Sequence, residues 1–344
     1  MATIRDVARF AGVSIGSVSL ALNNPSRVSA NLRARVEEAA QVLGYAPNPA
    51  ARRLRKKFGN LLGLIVADVT NPFFAEIVKA IEGIACTQGY SVLLCNSDED
   101  VLREVHHIHL LRSQHVDGVI LASVGQESRE RAAALAGAPF PVVLVDRALD
   151  GLGLDMVILD NRAAGREATR HILSFGHTRI GMIAGPGSLV TGAGRLDGYR
   201  EALLSHGLPF DPELVRDGAF QETLAYDMTL ELLRMGNPPT AIVAANNQMT
   251  IGMMRAIADR GLSCPDDISV VCVDDFPWAR ASRPRLTVVA QPTRAMGETA
   301  FRLLWGRMTE AIAGPARVEV MAPELIIRES CAQPLRSCKH KRIS

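Results

Sequence analysis

TIRDVARFAGVSIGSVSLALNN, residues 3–24, decides how the first part of this chain folds. Thr3 followed three residues later by Asp6 has the form of a capping box, and Ile4, Val7, Ala8 and Ala11 then recur at helical spacing. Gly12 stops that helix. After a short turn Ser14 caps a second one, in which Val18, Ala21 and Leu22 share one face while Ile15, Gly16, Ser19, Leu20 and Asn23 hold the other. Asn24-Pro25 closes it. Ser29 then caps a third helix with Leu32, Val36, Ala39, Ala40 and Leu43 on its apolar face, ending at Gly44. Three short helices, the first two joined by a tight glycine turn, are the helix-turn-helix layout.

Working outward, APNPAARRLRKKFGN at 46–60 begins a helix at Asn48-Pro49, an N-cap followed by proline at the first helical position. Arg52, Arg53, Arg55, Lys56 and Lys57 surround one apolar residue, Leu54, in a helix too short to be stable alone in water. Residues 1–58 hold ten Arg and Lys against three acids, a net +7, which leaves −5 of the chain's +2 for the remainder. A basic head on a mildly acidic body is the electrostatic footprint of nucleic-acid binding through one end.

Residues 3–54 resemble the DNA-binding headpiece and hinge of the LacI/GalR family of bacterial regulators. They share the order DVA-x-x-AGVS-x-x-(S/T)VS, then LGY-x-PN-x-x-AR-x-L. The resemblance implies that Ile15, Gly16 and Leu20 meet base edges in the major groove. None of the three can make a bidentate hydrogen bond, so readout there leans on apolar contact with a thymine methyl. Thr3, Ser14, Ser19 and Asn23 are candidates for phosphate contacts, and Arg27 for base or backbone. In the hinge, where Asn48 is the expected cap, the resemblance implies that Leu54 is the wedge that enters the minor groove and opens a base step and that Arg55 lies along the groove.

From Leu61 the pattern changes. LLGLIVAD, YSVLLCN, GVILAS and PVVLVDR alternate with helical segments, and a second series from Asp160 carries RIGMIAG, AIVAAN, ISVVCVDD and LTVVAQP. Continuous apolar strands between helices mean parallel sheets covered on both faces, here in two Rossmann-like lobes. A helix from Ala295 to Ala313 is expected to return to the first lobe. The phrases DVTNPFF, VLVDR, GHTRIGMIAGP, RLDGY and VDDFPWAR are similar to the periplasmic-binding-protein type of sensor domain of the same family.

In such sheets ligands bind beyond the carboxyl ends of the strands. Asn71, Phe73 and Phe74 follow the first strand, Asp98 the second and Asp146-Arg147 the fourth; Thr191, Arg195, Phe220, Asn246 and Asp274 come from the second lobe. Carboxylates, an arginine and asparagines bind hydroxyls, and phenylalanine rings stack on an apolar sugar or base face. The resemblance singles out Phe73, Asp146, Arg195, Asn246 and Asp274. Taken singly, Phe73 and Phe74 also read as core, Asp98 and Asp160 as helix caps, and Arg195 as a surface charge. Two departures bear on the ligand. Leu189 stands where purine-responsive members have an arginine for the base, and Asn246-Asn247 replaces the family's usual Asn-Asp pair.

Signals of enzyme chemistry fail. Gly192, Gly194 and Gly198 miss GxGxxG spacing, no GxSxG or HExxH is present, and His106, His107 and His109 lack a further ligand to complete a metal site. Six scattered cysteines read as buried free thiols, and no apolar run reaches membrane-span length.

The expected protein is multidomain. It has an all-α helix-turn-helix headpiece at 1–46, a hinge helix and linker at 47–59, and a two-lobed α/β body of periplasmic-binding-protein type at 60–330. The first lobe spans about 60–160 and 292–322, the second about 161–291 and 323–330, and a basic, disordered tail covers 331–344. The expected function is a cytoplasmic transcription regulator, a repressor, homodimeric or tetrameric and nucleoid-associated when bound. It binds a pseudo-palindromic double-stranded DNA operator under the control of a small-molecule effector, a sugar or sugar derivative first and a purine or nucleoside second. No cofactor, metal, membrane partner or enzyme activity is expected. A solute-binding protein of a transporter is the rival from another class, and the basic head argues against it.

Overall fold

The computed structural model describes residues 2–23, 27–45, 59–125, 128–149 and 151–334. They fall into two compact units, Met1–Gly59 and Asn60–Ser344. The hinge residues Asn48, Leu54 and Arg55, the side chain of Asn23 and the tail from 335 onward lie outside the described residues.

The first unit contains α1 (Ile4–Ala11), α2 (Ile15–Asn23) and α3 (Ala30–Val42). The capping box is formed: the Asp6 amide donates to Thr3 Oγ1, and the Thr3 amide and hydroxyl donate to Asp6 Oδ2 at 2.9 and 2.7 Å. Gly12 turns the chain at φ +63, the left-handed region that favours glycine, and the Val13 amide reaches Ala8 O. Ser14 and Ser29 accept from the amides of Ser17 and Leu32. Helices this short are marginal alone. They are held by Val7, Val18, Val36 and Ala39, all fully buried, each valine contributing about 1.5–3 kcal/mol of burial.

The second unit has two six-stranded sheets. β1 (Leu61–Val66), β2 (Ser91–Asn96), β3 (Gly118–Leu121), β4 (Val142–Asp146), β5 (Asp155–Leu159) and β11 (Val318–Met321) run in the order β11-β5-β4-β3-β1-β2, all parallel. β6 (Ile180–Ala184), β7 (Val215–Asp217), β8 (Ala241–Ala244), β9 (Ser269–Val273), β10 (Thr287–Ala290) and β12 (Glu324–Ile326) run β12-β10-β9-β8-β6-β7, with only β12 antiparallel. α4 (Pro72–Thr87), α5 (Val101–Ser113) and α6 (Arg129–Ala136) belong to the first sheet. α7 (Asn161–Ser174), α8 (Val190–Ser205), α9 (Glu222–Leu233), α10 (Asn247–Asp259) and α11 (Pro277–Ala281) belong to the second. α12 (Thr293–Met308) comes back to the first, where Met296, Ala300, Phe301, Leu303 and Leu304 join Leu62, Leu64 and Val143 in one core. The chain therefore passes between the sheets three times: after β5, after β10, and between β11 and β12.

Four strands, β5, β7, β11 and β12, go beyond the eight seen in the sequence. β7 and β12 have three residues each and β11 is half-exposed, so neither length nor apolar continuity marks those three; β5, DMVIL, is a five-residue run with four apolar residues. The returning helix is shorter than 295–313 suggested. It stops at Met308, Glu310 takes φ +60, and Ile312 folds back against Gly306. The tail also starts later than 331. His177 is bonded to Thr240 Oγ1, Ser269 Oγ and Ala332 O at 2.8–3.0 Å, and Ser269 Oγ accepts the Ala332 amide, so residues 331 and 332 are pinned to the second sheet. Of the five described cysteines, all free, Cys95 and Cys272 are buried, but Cys86 is exposed on α4. Among the described residues no helix is long and apolar enough to cross a membrane.

Candidate functional site

A cavity of about 650 Å³ opens between the two lobes, at the carboxyl ends of both sets of strands. All ten residues expected to touch an effector line it: Asn71, Phe73, Phe74, Asp98, Asp146, Thr191, Arg195, Phe220, Asn246 and Asp274. They reach it by different routes. Asn71 and Asn246 are the N-caps of α4 and α10, their side-chain oxygens accepting from the amides of Phe73 and Met249 at 3.0 and 2.9 Å. Phe73 and Phe74 are both nine-tenths or more buried in the first lobe's core, packed edge to face, so they serve core and wall together. Asp98 is exposed at the rim and already paired with Arg103 at 2.8 Å. Asp160, the alternative cap, does cap α7 and is not among the lining residues.

Two aspartates form the polar floor from equivalent places. Asp146 ends β4 at φ +71 and Asp274 follows β9 at φ +81, and both are buried. A non-glycine residue held there costs on the order of 1–3 kcal/mol and persists only where the surroundings enforce it. For Asp274 the enforcement is visible: Gln291 Nε2 donates to Oδ1 at 2.7 Å and the Asn247 amide to Oδ2 at 3.1 Å. Arg195 is buried, not a surface charge. Its Nε donates to Asn161 Oδ1 at 2.9 Å and its Nη1 to Ala245 O. Burial pulls its pKa down, against the charges of Asp274 and Asp146. Helix packing fixes its position, since a Cβ on Gly165 of α7 would fall 1.9 Å from the Arg195 carbonyl oxygen.

Arg147, noted in the sequence only as the neighbour of Asp146, belongs to the site, as do Glu99 and Gln291. The Arg147 guanidinium lies 6.0 Å from the Phe220 ring centroid and that of Arg195 5.9 Å, so the ring stands between a cation from each lobe. Across the cleft Asn247 Nδ2 donates to Asn71 Oδ1 at 2.7 Å. An aspartate at 247 could not make that bond, so the departure from the family pair has a structural role. Among the described residues, two buried oxygens in the lining, Thr191 Oγ1 and Gln291 Oε1, have no hydrogen-bond partner, and such atoms are costly unless something fills the need. Among the described residues no group of His, Cys, Asp and Glu is arranged to hold a metal.

Burial pushes the Asp146 carboxyl up to about 6, against the pull of Arg147 and Arg195. Between its ordinary 3.8 and about 6 the folded chain keeps a proton that the unfolded chain has released. That contribution stabilises the fold at low pH and is lost as pH rises through 6. The ligand-free Asp146→Asn variant has no such proton. Its melting temperature is expected to gain on the wild type by about 5 °C between pH 4.5 and pH 7.5; a gap that stays constant in scanning calorimetry contradicts the assignment.

In the headpiece, Ile15 and Leu20 are exposed at 42% and 39%, unusual for large apolar side chains on a helix whose other face is core. Gly16 and Arg27 are exposed beside them and Ser19 is half-buried. The hydroxyls of Thr3 and Ser14 are committed to helix caps, Ser14 Oγ also lying 2.9 Å from Ser17 Oγ.

Residues 3–48 match the family model described as bacterial regulatory proteins, lacI family, and residues 169–331 the model of a periplasmic binding protein-like domain. The chain is 35% identical to the HTH-type transcriptional regulator DegA of Bacillus subtilis (strain 168), covering 95% of this chain and 97% of that protein. It is 34% identical to the HTH-type transcriptional repressor PurR of Pasteurella multocida (strain Pm70), over 96% and 98%. Among solved structures it resembles the complex of transcriptional regulator CelR with cellobiose, with TM-score 0.73, 33% identity, and 96% and 100% coverage. It also resembles the Lac repressor dimer bound to operator and the anti-inducer ONPF, with TM-score 0.84, 30% identity, and 96% and 99% coverage.

Proposed function

The chain belongs to the lacI family of bacterial regulatory proteins, and from that membership we propose that it is a repressor whose operator affinity is set by a neutral, hydroxyl-rich effector held between the lobes. It is a DNA-binding transcriptional regulator and not an enzyme. The observation that carries the ligand reading is the convergence of polar groups from both lobes on one cavity with two oxygens, Thr191 Oγ1 and Gln291 Oε1, awaiting donors. Hydroxyls donate to such oxygens, accept from Arg195 and leave an apolar ring face for Phe220. The complex of CelR with cellobiose supports a sugar.

The purine reading draws support from the likeness to PurR. Against it stands Leu189, buried and packed toward Gly125 of the opposite lobe, where the resemblance would require a base-reading arginine. On our reading the protein is cytoplasmic and works as a homodimer on a pseudo-palindromic site. Ile15, Gly16 and Leu20 meet bases, Ser14, Ser19, Asn23 and Arg27 set register, and the hinge residues Asn48, Leu54 and Arg55 couple the body to the headpiece. The effector binds one lobe arrangement better than the other and shifts the population between them. A thermal-shift screen of neutral sugars and of purines, followed by operator titration with each hit, tests this. A sugar is expected to raise the melting temperature and change the operator Kd by at least about tenfold; if purines alone do both, the sugar reading falls.

A further inference from the structure

Glu99 follows β2 with φ +54, directly behind Asp98 at φ +56. Neither is glycine, and two successive left-handed residues are a costly way to make a turn. What the turn achieves is a carboxylate on Arg147: Nη1 and Nη2 donate to Glu99 Oε2 and Oε1 at 2.6 and 2.7 Å, a bidentate pair. The two partners are unequally placed. The Arg147 side chain is 7% exposed, and its Nη1 also donates to Val124 O and Ser123 O at 3.2 and 3.4 Å, whereas the Glu99 side chain is 47% exposed. The guanidinium is fixed in the wall; the carboxylate lies at the edge of solvent. Burial works against the charge of Arg147, but the bonds to Glu99 outweigh it and its pKa is raised.

A buried guanidinium in a ligand cavity is a natural receptor for a phosphate or carboxylate. Here that receptor is already occupied by the chain's own carboxylate, which is tethered and so competes at high effective concentration. Glu99 also decides the charge balance. Arg147 and Arg195 face Asp146, Asp274 and Glu99, while the rim acids Asp98 and Glu222 have partners of their own in Arg103 and Arg255. With Asp68 also in the lining, two cations against four carboxylates leave no positive charge for an anionic ligand.

We infer that Glu99 is a specificity-determining residue: by filling the fork of Arg147 it makes the cavity take neutral ligands and reject phosphorylated or carboxylated ones. This rests on the reading of the cavity as the effector site, but it is tested without any effector. Thermal unfolding of the full chain is measured in sodium phosphate and in sodium chloride of equal ionic strength, for wild type, Glu99→Gln and Glu99→Ala. Relative to the wild type, whose only shift between the salts is the headpiece effect shared by all the proteins, each variant is expected to gain a further increment of about 3 °C in ~20 mM phosphate, as its emptied fork takes the anion. The gain should disappear in the Glu99→Gln, Arg147→Gln double variant.

No phosphate-dependent gain in either single variant overturns the inference, as does an equal gain in the wild type or a gain that survives loss of Arg147. Phosphate on the basic headpiece is common to all the proteins and cancels. A positive phosphate result beside a sugar screen without hits would remove the sugar reading and leave the role of Glu99 standing; the reverse pair of results would do the opposite.

Discussion

A chain beginning at residue 60 is expected to bind operator duplex at least about a thousandfold more weakly than the full protein, and to keep its complete thermal response to effector. The headpiece is a compact unit with its own core of Val7, Val18, Val36 and Ala39, and the body has three further cores. Each part has the apolar burial to fold without the other. The charge is divided as sharply: +7 lies on residues 1–58 and −5 on the rest. A body of negative charge gains nothing from releasing counterions, so the steep dependence of log Kd on log salt should go with the headpiece. Fluorescence anisotropy on labelled operator at several salt concentrations measures both quantities. A truncated body that binds with the wild-type salt slope would place the DNA contacts in the wrong part of the molecule.

The second large effect is expected from Asp274→Ala. The substitution leaves the Asn247 amide and Gln291 Nε2 without their acceptor in a buried site and takes a counter-charge from Arg195. Those unmet donors lower stability, while the lost carboxylate removes acceptors for effector hydroxyls, worth about 1.5–3 kcal/mol per bond to a charged group, so effector affinity should fall by about a hundredfold. Effector-free operator binding should change by less than about threefold, because no part of the headpiece depends on this carboxylate. Calorimetric titration of effector and operator titration without it check the two halves. Wild-type effector affinity in the variant would remove Asp274 from the site.

How far the sequence carried this reading depended on how each residue is constrained. The central strands announced themselves because they are buried on both faces and read as unbroken apolar runs; β7 and β12, three residues long at sheet edges, have no such mark. Asn71 and Asn246 were legible because they follow the carboxyl ends of apolar strands, and their second role as helix caps came only with the structure. Arg195 could be read either as surface or as site, and only the close approach of α7 and α8 at Gly165 decides it. Glu99 could not be found at all. Its role depends on a left-handed φ that no glycine advertises and on a partner 48 positions away. The bond from Asn247 to Asn71, across 176 positions, was visible only as a departure from a family pair.

The three crossings between the lobes also determine how economically the body can act as a sensor. Two rigid plates joined by one strand could twist, slide and bend. Joined at three places, after β5, after β10 and between β11 and β12, they have fewer independent ways to move. The Asn71–Asn247 bond is a direct polar link across the same cleft that Thr191, Arg195 and Gln291 line.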